Sequence, residues 1–506
     1  MSRLSPETLV WPPVAGERAS LSAPGLRAIV VGGGIAGVSA ATSLCERGVR
    51  VTLIEREAAL GGRAGGFAKS LVTGETLEME RGFHAFFRQY YNLHALLRRV
   101  DPQLSMLAPL PDYPILGPGG LVQGFADLPT RPPFQVMALA WRTPYLRARD
   151  LPRVSGLTAL EMLRYDPART YARWDATSAA AYLDSLAFPE TARRMLFDVF
   201  SHSFFNPESE LSAAELLMMF HFYFMGNPEG LVFDVPTRPL TAAIWQPFER
   251  WLSGHAVDLQ LGSSATRVER RPEGGYRVYS DRAQHEADLL VLALDVGSLP
   301  RLLEESPDLA QLQPACRALR PTRPFAVWRL WLDRKARSDR AAFAGTTGIG
   351  LLDNISVYEK LQDESRAWSA QHGGSVIELH AYAVAPELGE AAIKADLLRG
   401  LHAFYPELRD AQVRDECFLL RRDCPAFDVG THASRPSVDT GFDDLALAGD
   451  YVSVPMPCAL MERATVSGVL AANRLLAKHG VRAQALRSVP SRGLLAAPRW
   501  RWRHAA

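Results

Sequence analysis

Near its amino terminus the chain shows apolar and small-residue runs in the order strand, turn, helix, strand. Ala28 to Val31 is an apolar run typical of a buried strand, and a glycine-rich turn occupies residues 32–37. Residues 38–47 are mostly small or apolar and predict a helix that Gly48 ends, and residues 49–54 predict a second strand. Two strands joined by a helix in this way predict a parallel βαβ unit.

Two later segments repeat this kind of pattern. Leu289 to Leu294 is another apolar run, and it follows alternating strand-like runs around the turn at Gly274 and Gly275. Residues 445–448 predict a last short strand, and residues 462–476 predict a long helix rich in small side chains. We expect these segments to return to the sheet that the first strands begin.

The pattern therefore predicts an α/β fold with a discontinuous Rossmann-type domain, built on a mixed parallel sheet, and an inserted α+β domain. At 506 residues the chain is longer than a single core usually supports, which also favours two domains. The predicted regions are a flexible N-terminal segment (1–24), the nucleotide-binding domain (25–105, 240–300 and 430–480), the substrate domain (106–239 and 301–429) and a basic Arg/Trp tail (481–506).

Residues 216–226, LLMMFHFYFMG, form the richest apolar stretch of the chain. A membrane-spanning helix needs about 18 or more apolar residues in a row, and no run of the sequence reaches that length. Two interpretations of the stretch stay open, a core helix and the lining of an apolar tunnel.

Composition and charge narrow the class of protein. The 56 Lys and Arg residues and the 55 Asp and Glu residues nearly cancel, so no nucleic-acid partner is predicted. None of the five cysteines belongs to a C-x-x-C pair or to a histidine-spaced metal pattern, which predicts neither a metal site nor a disulfide framework. The first residues contain no apolar signal segment, so we expect a cytoplasmic enzyme.

The glycine-rich turn has the spacing of a dinucleotide-binding site. Gly32 permits the tight turn, Gly34 lets the backbone approach a pyrophosphate, and Gly37 lets the helix pack closely on the strand. Glu55 follows the second strand, where a carboxylate accepts hydrogen bonds from a ribose. An acidic residue at this position favours FAD or NAD over NADP.

A second glycine turn, Gly61-Gly62-Arg63, comes shortly after Glu55 and favours FAD. Its guanidinium is suited to the same pyrophosphate, although a plain surface loop explains the spacing equally well. Asp450 follows the last predicted strand, where it lies either beside the ribityl chain or at the cap of a turn.

Together these segments resemble the phytoene-desaturase and amine-oxidase superfamily of flavoproteins. The resemblance is carried by VGGGIAGVSAATSLCERG, by ERE followed by GGRAGG, and by the terminal LALAGD and MERATVSGVLAAN. It implies a Rossmann-type FAD-binding domain, FAD as the cofactor, and a backbone contact from Val268 to the adenine. The implied FAD-binding residues are Gly32, Gly34, Ile35, Ala36, Gly37, Glu55, Arg56, Gly62, Arg63, Gly82, Phe83, Val268, Gly449 and Asp450.

The chain departs from the superfamily pattern at one point. The superfamily usually shows Glu-Gly-Ala before its last helix, whereas this chain has Glu462-Arg463-Ala464. A backbone contact to the flavin that relies on that glycine is therefore not expected to carry over unchanged to this chain.

Within the superfamily the chain is most similar to the carotenoid φ-ring synthases. The similarity is carried by RGFHAFFRQYYNL, FSHSFFNPESELSAAELLMMFHFYFMGNPEGLVFDVPT, RLWLDR, LDNISV and ELHAYAVAP. It implies a carotenoid desaturase that converts the β-ionone rings of β-carotene into aromatic φ rings, by hydride removal to FAD with an intramolecular methyl shift. A carotenoid substrate implies a peripheral position at the inner face of the membrane. The electron acceptor is not specified, and a quinone is one candidate.

Aromatic residues are concentrated in residues 81–93 and again in residues 204–224. Aromatic faces can stabilise a cationic ring, but most aromatic side chains simply pack in a core. Arg81 and Arg88 are candidate anchors for the substrate. The candidate substrate-lining residues are Phe86, Phe87, Tyr90, Phe220, Phe222 and Phe224.

His84 is the candidate catalytic base, because it follows Gly82-Phe83, where the superfamily chain passes near the flavin. A structural histidine is the alternative interpretation. The same two interpretations apply to His202, His221 and His380.

The predicted tail, residues 481–506, contains six arginines and no acidic residue, interleaved with leucine and tryptophan. This composition suits the surface of an anionic membrane. A disordered, solubilising tail is the alternative.

Other functions on the same scaffold stay open at this point. An acyclic carotene desaturase or isomerase, or an amine oxidase, would use the same fold and cofactor. A prenyl-lipid-binding chaperone of the GDP-dissociation-inhibitor type would use the fold without redox chemistry, but it would have no need of Glu55, Arg63 and Asp450.

Overall fold

Two larger β-sheets organise the chain in a computed structural model, which describes residues 5–12, 17–21, 25–110, 112–125, 128–150 and 152–496. The strands, in chain order, are β1 (Glu7–Leu9), β2 (Arg27–Val31), β3 (Arg50–Glu55), β4 (Gly66–Ser70), β5 (Thr76–Glu80), β6 (Phe86–Phe87), β7 (Leu107–Leu110), β8 (Ile115–Gly117), β9 (Leu121–Gln123), β10 (Phe233–Pro236), β11 (Val257–Leu261), β12 (Ala265–Arg270), β13 (Tyr276–Ser280), β14 (Gln284–Ala287), β15 (Leu289–Leu292), β16 (Phe325–Leu332), β17 (Phe343–Thr346), β18 (Asn354–Val357), β19 (Val376–Ala381), β20 (Val413–Arg421), β21 (Leu445–Leu447) and β22 (Leu486–Ser488). The α-helices are α1 (Ile35–Cys45), α2 (Tyr91–Leu97), α3 (Phe134–Arg142), α4 (Gly156–Ala159), α5 (Pro167–Trp174), α6 (Ala179–Ser185), α7 (Glu190–Arg193), α8 (Val199–His202), α9 (Ala213–Phe220), α10 (Gln246–Gly254), α11 (Ser298–Glu304), α12 (Gln313–Arg317), α13 (Asp363–His372), α14 (Glu390–Phe404) and α15 (Leu460–Ala477).

The first large sheet has five strands in the order β11, β3, β2, β15, β21. Its central strands β2 and β15 are buried along almost their whole length, which explains their unbroken apolar sequences. Because the strands come from three separate stretches of the chain, the predicted discontinuous Rossmann-type fold is confirmed. The sheet is parallel throughout rather than mixed, since no hairpin joins two of its neighbouring strands.

Helix α1 begins inside the glycine-rich turn and not after it. Gly34 is the N-cap and has extended backbone angles, so Ile35 already belongs to the helix. Helix α15 packs against α1 at close range: a Cβ on Gly468 would lie 2.3 Å from the carbonyl oxygen of Ala36. The small side chains of the two predicted helices therefore permit this close packing.

The predicted β-meander is present as the antiparallel strands β12, β13 and β14. Its first turn contains Gly274 and Gly275, whose φ angles of +99° and +80° disfavour any residue with a side chain. Strand β15 then returns the chain to the parallel sheet.

The second large sheet has the strand order β20, β16, β19, β18, β17, β8, β9. The pair β17 and β8 is parallel and the other neighbours are antiparallel. Strands β8 and β9 precede the helices α3 to α9 in the chain, and the other strands follow them. Both predicted parts of the substrate domain therefore contribute to one sheet.

The two ends of the chain differ from the prediction of a flexible segment and a separate tail. Strand β1 pairs with β22 in an antiparallel arrangement, and Val489 is fully buried. The Pro490 carbonyl accepts a hydrogen bond from His221 Nε2 at 2.7 Å, and Arg492 pairs with Asp166 at 2.6 Å. Residues 481–496 thus pack on the body of the protein, held by the buried Val489 side chain, the hydrogen bond to Pro490 and the ion pair of Arg492.

The two tryptophans of the predicted tail, Trp500 and Trp502, lie outside the described residues. In the described part of the chain, no helix combines the length and the apolar character that crossing a bilayer requires.

Candidate active site

A cavity of about 720 Å³ lies between the two large sheets. One end is formed by residues that follow the parallel strands β2, β3, β15 and β21, at the carboxyl edge of the sheet. The other end is formed largely by aromatic side chains and by the second sheet. The carboxyl edge of a parallel sheet is where such folds bind nucleotides.

The turn between β2 and α1 requires glycine at two positions. Gly32 has a φ of +109°, and a Cβ there would lie 2.4 Å from the Ala293 carbonyl oxygen. A Cβ on Gly37 would lie 1.8 Å from the Gly32 carbonyl oxygen. Gly32 lines the cavity. Gly37 does not line it, but its lack of a side chain lets α1 pack closely against the turn.

The first turn of α1 is suited to a pyrophosphate. Gly34, Ile35 and Ala36 line the cavity, and no side chain caps the helix at its N-terminus. The first N–H groups of the helix lack intrahelical partners, and together with the helix dipole they bind anions. The Gly61 N–H donates to the Gly33 carbonyl at 2.9 Å and holds the second glycine turn against the first. These residues fit the pyrophosphate of FAD.

Glu55 lines the cavity at the end of β3, as a ribose-binding residue should. Its carboxylate oxygens accept N–H bonds from Gly33 at 2.6 Å and from Glu57 at 2.8 Å. Burial raises the pKa of Glu55, while the two N–H groups favour its charged form. Each oxygen keeps a further acceptor site, which suits ribose hydroxyls.

Arg63 and Asp450 form an ion pair inside the cavity, with Nη2 and Oδ1 2.6 Å apart. Burial opposes the charge of Arg63, but the carboxylate of Asp450 raises the pKa of Arg63 well above its usual value. The pair joins two residues that are far apart in the chain and that the sequence assigns to neighbouring parts of FAD.

Among the remaining predicted FAD-binding residues, all except Val268 line the cavity. They are Arg56, Gly62, Gly82, Phe83 and Gly449.

Val268 does not line the cavity. Its N–H donates to Ser306 Oγ at 2.9 Å, and its side chain is fully buried in the meander opposite Val278. Strand β12 runs away from the cavity, so that residues 263–266 line it instead. Val268 therefore lies away from the cavity, where the expected backbone contact to the adenine would have to be made.

Arg463, which stands in place of the superfamily glycine, is buried and points towards α9. Its guanidinium pairs with Glu215 and donates from Nε to the Cys458 carbonyl at 2.8 Å. Arg435 pairs with the same carboxylate at 3.2 Å. Burial alone would raise the pKa of Glu215, but the two arginines lower it to about 2. Ala464 still lines the cavity, so the arginine does not close this part of it.

Residues 81–93 supply one wall of the cavity. Phe83 stacks on Phe343 with ring centroids 4.4 Å apart, and the hydroxyls of Tyr90 and Tyr223 hydrogen-bond at 2.7 Å. The residues of this segment on the wall are Arg81, Gly82, Phe83, His84, Ala85, Phe87 and Tyr90. Arg88 is instead held by Asp234 at 2.8 Å.

The six candidate substrate-lining residues are split between wall and core. Phe87, Tyr90 and Phe224 lie on the wall, whereas Phe86, Phe220 and Phe222 are buried outside it. Neighbouring strand residues point to opposite faces, which turns Phe86 away from Phe87.

The apolar stretch 216–226 is both core and lining. Helix α9 continues into a π-helical turn at His221–Met225, and a helix presents only part of its circumference to one cavity. Met219, Tyr223 and Phe224 line the cavity, and the other residues pack in the core.

His84 lies on the cavity wall as a neutral ring. Its Nδ1 is 2.7 Å from the Gly82 carbonyl oxygen. A carbonyl oxygen only accepts, so Nδ1 carries the proton and Nε2 carries the lone pair. Burial lowers the pKa of His84 to about 4, which keeps the ring uncharged near neutral pH.

The other three histidines have separate environments. His221 is buried against Tyr165, and the Pro490 carbonyl accepts its Nε2 hydrogen, which is a structural arrangement. His202 lies outside the wall and pairs with Asp353, which is on it. His380 lines the cavity itself.

His380 belongs to a buried polar group on the second sheet, and its partners in that group, Glu378, Tyr382 and Arg329, were not among the predicted site residues. His380 bonds through Nε2 to Glu378 at 2.8 Å and through Nδ1 to the Tyr382 hydroxyl at 2.9 Å. Glu378 in turn pairs with Arg329 at 2.7 Å. The signal in the sequence is the alternation of Glu378, His380 and Tyr382, which places three polar side chains on one face of an apolar strand.

A flavin-binding turn at the edge of a parallel sheet, opening into an apolar cavity of a second domain, defines an FAD-dependent oxidoreductase. Residues 35–476 match the flavin-containing amine oxidoreductases, and the chain belongs to this family. The superfamily and the cofactor predicted from the sequence motifs are confirmed.

Two relatives extend along nearly the whole chain. The carotenoid φ-ring synthase of Streptomyces griseus is 48% identical over 489 residues, which cover 96% of this chain and 94% of that protein. The carotenoid φ-ring synthase of Chlorobaculum tepidum is 30% identical over 591 residues, which cover 93% of this chain and 91% of that protein.

A solved structure shares the fold. The cyclohexylamine oxidase of Brevibacterium oxydans superimposes with a TM-score of 0.61 at 15% identity, covering 90% of this chain and 100% of that one.

Proposed function

We propose that this enzyme converts the β-ionone end rings of a β-carotene-type carotenoid into aromatic φ rings, as a carotenoid φ-ring synthase. The observation that carries the proposal is the cavity of about 720 Å³, which joins the FAD-binding turn to a wall of aromatic side chains. The two relatives that bear this name and align along nearly the whole chain support it.

The reaction has a defined balance of atoms. A β-ionone ring contains a carbon with two methyl groups, and this carbon cannot join an aromatic ring until one methyl leaves it. Migration of that methyl to the neighbouring carbon, with loss of two hydrides and two protons, gives the φ ring and needs no methyl donor. When bound, FAD supplies the hydride acceptor, and a membrane quinone is the acceptor that we propose for its reoxidation.

The aromatic wall suits a substrate that becomes positively charged. Removal of a hydride leaves a cation on the ring, and the faces of Phe83, Phe87 and Tyr90 can stabilise it through their negative quadrupoles. The same apolar side chains exclude water, which would otherwise capture the cation.

His84 is the proposed acceptor for the protons. Its lone pair is on Nε2, because Nδ1 is held by the Gly82 carbonyl. Its pKa of about 4 makes it a weak base. A ring cation is a strong acid, so a weak base on the wall suffices.

The substrate implies where the enzyme works. A carotene dissolves in the bilayer and not in water, so we propose that the protein lies peripherally at the inner face of the membrane and receives its substrate there.

The test uses purified holoenzyme and β-carotene with label in both of the paired methyl groups. We expect a product that has lost four hydrogens per processed ring, keeps every carbon and carries label on the adjacent ring carbon, detected by chromatography and mass spectrometry. Without oxygen or another acceptor, the flavin absorbance should bleach on adding β-carotene, but aromatic product should form only when an acceptor is supplied, because each ring releases two hydrides and one FAD accepts one of them.

Two results would contradict the proposal. Conversion of phytoene or lycopene with β-carotene left unchanged would indicate an acyclic carotene desaturase. Purified protein without visible flavin absorbance would indicate a lipid-binding protein on the same fold.

A further inference from the structure

Helix α3 exposes an apolar face to solvent. Phe134, Met137 and Trp141 are 57%, 59% and 87% exposed. Their spacing of three and seven residues places all three on one side of the helix. A stripe of large apolar side chains with this exposure marks an interaction surface.

The opposite face of α3 fixes the helix to the cavity wall. Leu139 and Gln135 are buried, and the Gln135 side-chain amide donates to the Phe224 carbonyl. Phe224 lines the cavity, and so does Phe125, which lies shortly before the helix. The exposed stripe therefore belongs to a helix whose buried face contacts the aromatic end of the cavity.

The charge around α3 is unlike that of the whole chain. Residues 128–150 and 152–158 contain five arginines and one acidic residue, Asp150, whereas the whole chain is almost neutral at +1. The five arginines, all exposed, are Arg131, Arg142, Arg147, Arg149 and Arg153. An excess of arginine beside an exposed tryptophan is typical of proteins that lie on anionic lipid.

We infer that α3 is the element by which this enzyme docks on an anionic lipid bilayer, with Phe134, Met137 and Trp141 among the acyl chains and the neighbouring arginines at the headgroups. The inference rests on the proposed function in one respect, that the substrate is a lipid of this bilayer. Docking on α3 places the aromatic end of the cavity at the bilayer surface. A carotene can then reach the site without crossing water.

The first experiment measures binding without any turnover. Holoenzyme is floated with vesicles of phosphatidylcholine containing one third phosphatidylglycerol, and with vesicles of phosphatidylcholine alone. We expect binding to the mixed vesicles that weakens with added salt. The triple variant Phe134→Ser, Met137→Ser, Trp141→Ser should bind roughly tenfold less or weaker still, because it loses the inserting side chains.

A matched control and a charge variant sharpen the result. Val72→Ser removes an apolar side chain that is 85% exposed on the turn between β4 and β5, and it should leave binding unchanged. Replacing Arg147, Arg149 and Arg153 by Gln should weaken binding to the mixed vesicles by about fivefold per arginine. Flavin absorbance of every variant should match that of the wild type, since all the altered side chains are exposed.

Two outcomes would overturn the inference. Equal vesicle binding by the wild type and the triple variant would place the docking surface elsewhere. A wild type that ignores vesicles but forms a dimer in solution, which the triple variant abolishes, would make α3 a self-association surface.

Turnover separates this inference from the proposed function. With β-carotene in vesicles the triple variant should lose activity, and with β-carotene in detergent micelles it should keep it. If the wild type binds vesicles through α3 but makes no aromatic product in either system, only the proposed function fails. If the triple variant turns over vesicle-held substrate at the wild-type rate, only the docking inference fails.

Discussion

His84 is connected to the proposed chemistry through one hydrogen bond, from Nδ1 to the Gly82 carbonyl. Because that bond leaves the lone pair on Nε2, we expect His84→Ala to lower kcat roughly a hundredfold or more, the usual contribution of a positioned base. Flavin content and KM should change little. The exposed His255 is the matched control, and His255→Ala should keep full activity.

The pH profile of the wild type gives a second test of His84. Its pKa of about 4 means that the ring is neutral above that value and becomes protonated below it. The rate should therefore fall as the pH falls through about 4 and should not change through His84 near neutral pH. A step in the wild-type rate near pH 6.5 that His84→Ala removes would contradict this assignment.

His202 and Asp353 link the stability of the fold to pH. Burial would lower the pKa of His202, but Asp353 at 2.8 Å raises it from 6.5 to about 9. The pair therefore stabilises the protein fully below pH 6.5, and this contribution is lost as the pH rises through 9. The His202 side chain is 43% exposed, so solvent screening limits the effect to about 1 kcal/mol or less.

The measurement is the melting temperature of wild type and His202→Gln as a function of pH. We expect the variant to melt lower than the wild type near pH 6, and the difference to vanish above pH 9. A difference in melting temperature between the wild type and His202→Gln that grows with pH would contradict a stabilising pair of protonated His202 and Asp353.

At the scale of elements, Arg463 ties the start of α15 to α9 through Glu215. Removing one partner of a buried ion pair typically costs about 3–5 kcal/mol, so Arg463→Ala and Arg463→Gly should both be strongly destabilised. The glycine variant restores the superfamily residue, yet it should bind FAD no better, because the arginine already points away from the cavity.

A double-mutant cycle checks that the pair acts directly. Chemical denaturation of Arg463→Met, Glu215→Gln and the double variant should give a coupling energy of about 1–3 kcal/mol, with the double variant less destabilised than the sum of the single changes. Additive effects would mean that each side chain stabilises the helices separately.

The elements of the parallel sheet were predictable from local sequence. Strands β2 and β15 are buried on both faces, so their sequences are unbroken apolar runs, and the glycine turn between β2 and α1 has a fixed spacing. Glu55 and Arg63 follow β3 and Asp450 follows β21, and because the carboxyl ends of parallel strands meet at one edge of the sheet, all three lie at one end of the cavity.

Other parts of the site depend on information that local sequence does not contain. Val268 was assigned to the adenine, but where β12 leaves the cavity is set by its pairing with β13. Which of Phe220, Phe222 and Phe224 faces the cavity depends on the phase of a helix with a π-helical turn. The contact between His202 and Asp353 depends on packing between residues 151 positions apart.

At the scale of the whole molecule, the average charge conceals a locally basic surface. A net charge of +1 predicts no membrane attraction, and yet the arginines around α3 form a basic region. The sequence pattern drew attention to the tail instead, and residues 481–496 of that tail are used for packing, as with Val489. The partner of an amphipathic helix can be inferred only once the structure shows which of its apolar and charged side chains are exposed.

The FAD-binding end of the cavity joins three separate stretches of the chain, represented by Glu55, Ser263 and Asp450. A ligand that binds only the folded state stabilises it by about 4 kcal/mol at a thousandfold excess over its Kd. FAD should therefore raise the melting temperature of the whole chain, and its removal should lower it.

Arg63→Gln tests this linkage at one ion pair. The change leaves the Asp450 carboxylate without the partner that lies 2.6 Å away and places uncompensated negative charge beside the expected FAD site. Calorimetry with increasing FAD should show a smaller rise in melting temperature for Arg63→Gln than for the wild type. Arg337→Gln, a change at an arginine that is 59% exposed and pairs with Asp339, should respond to FAD as the wild type does. A melting temperature of the wild type that is independent of FAD would mean that the three stretches hold together without the cofactor.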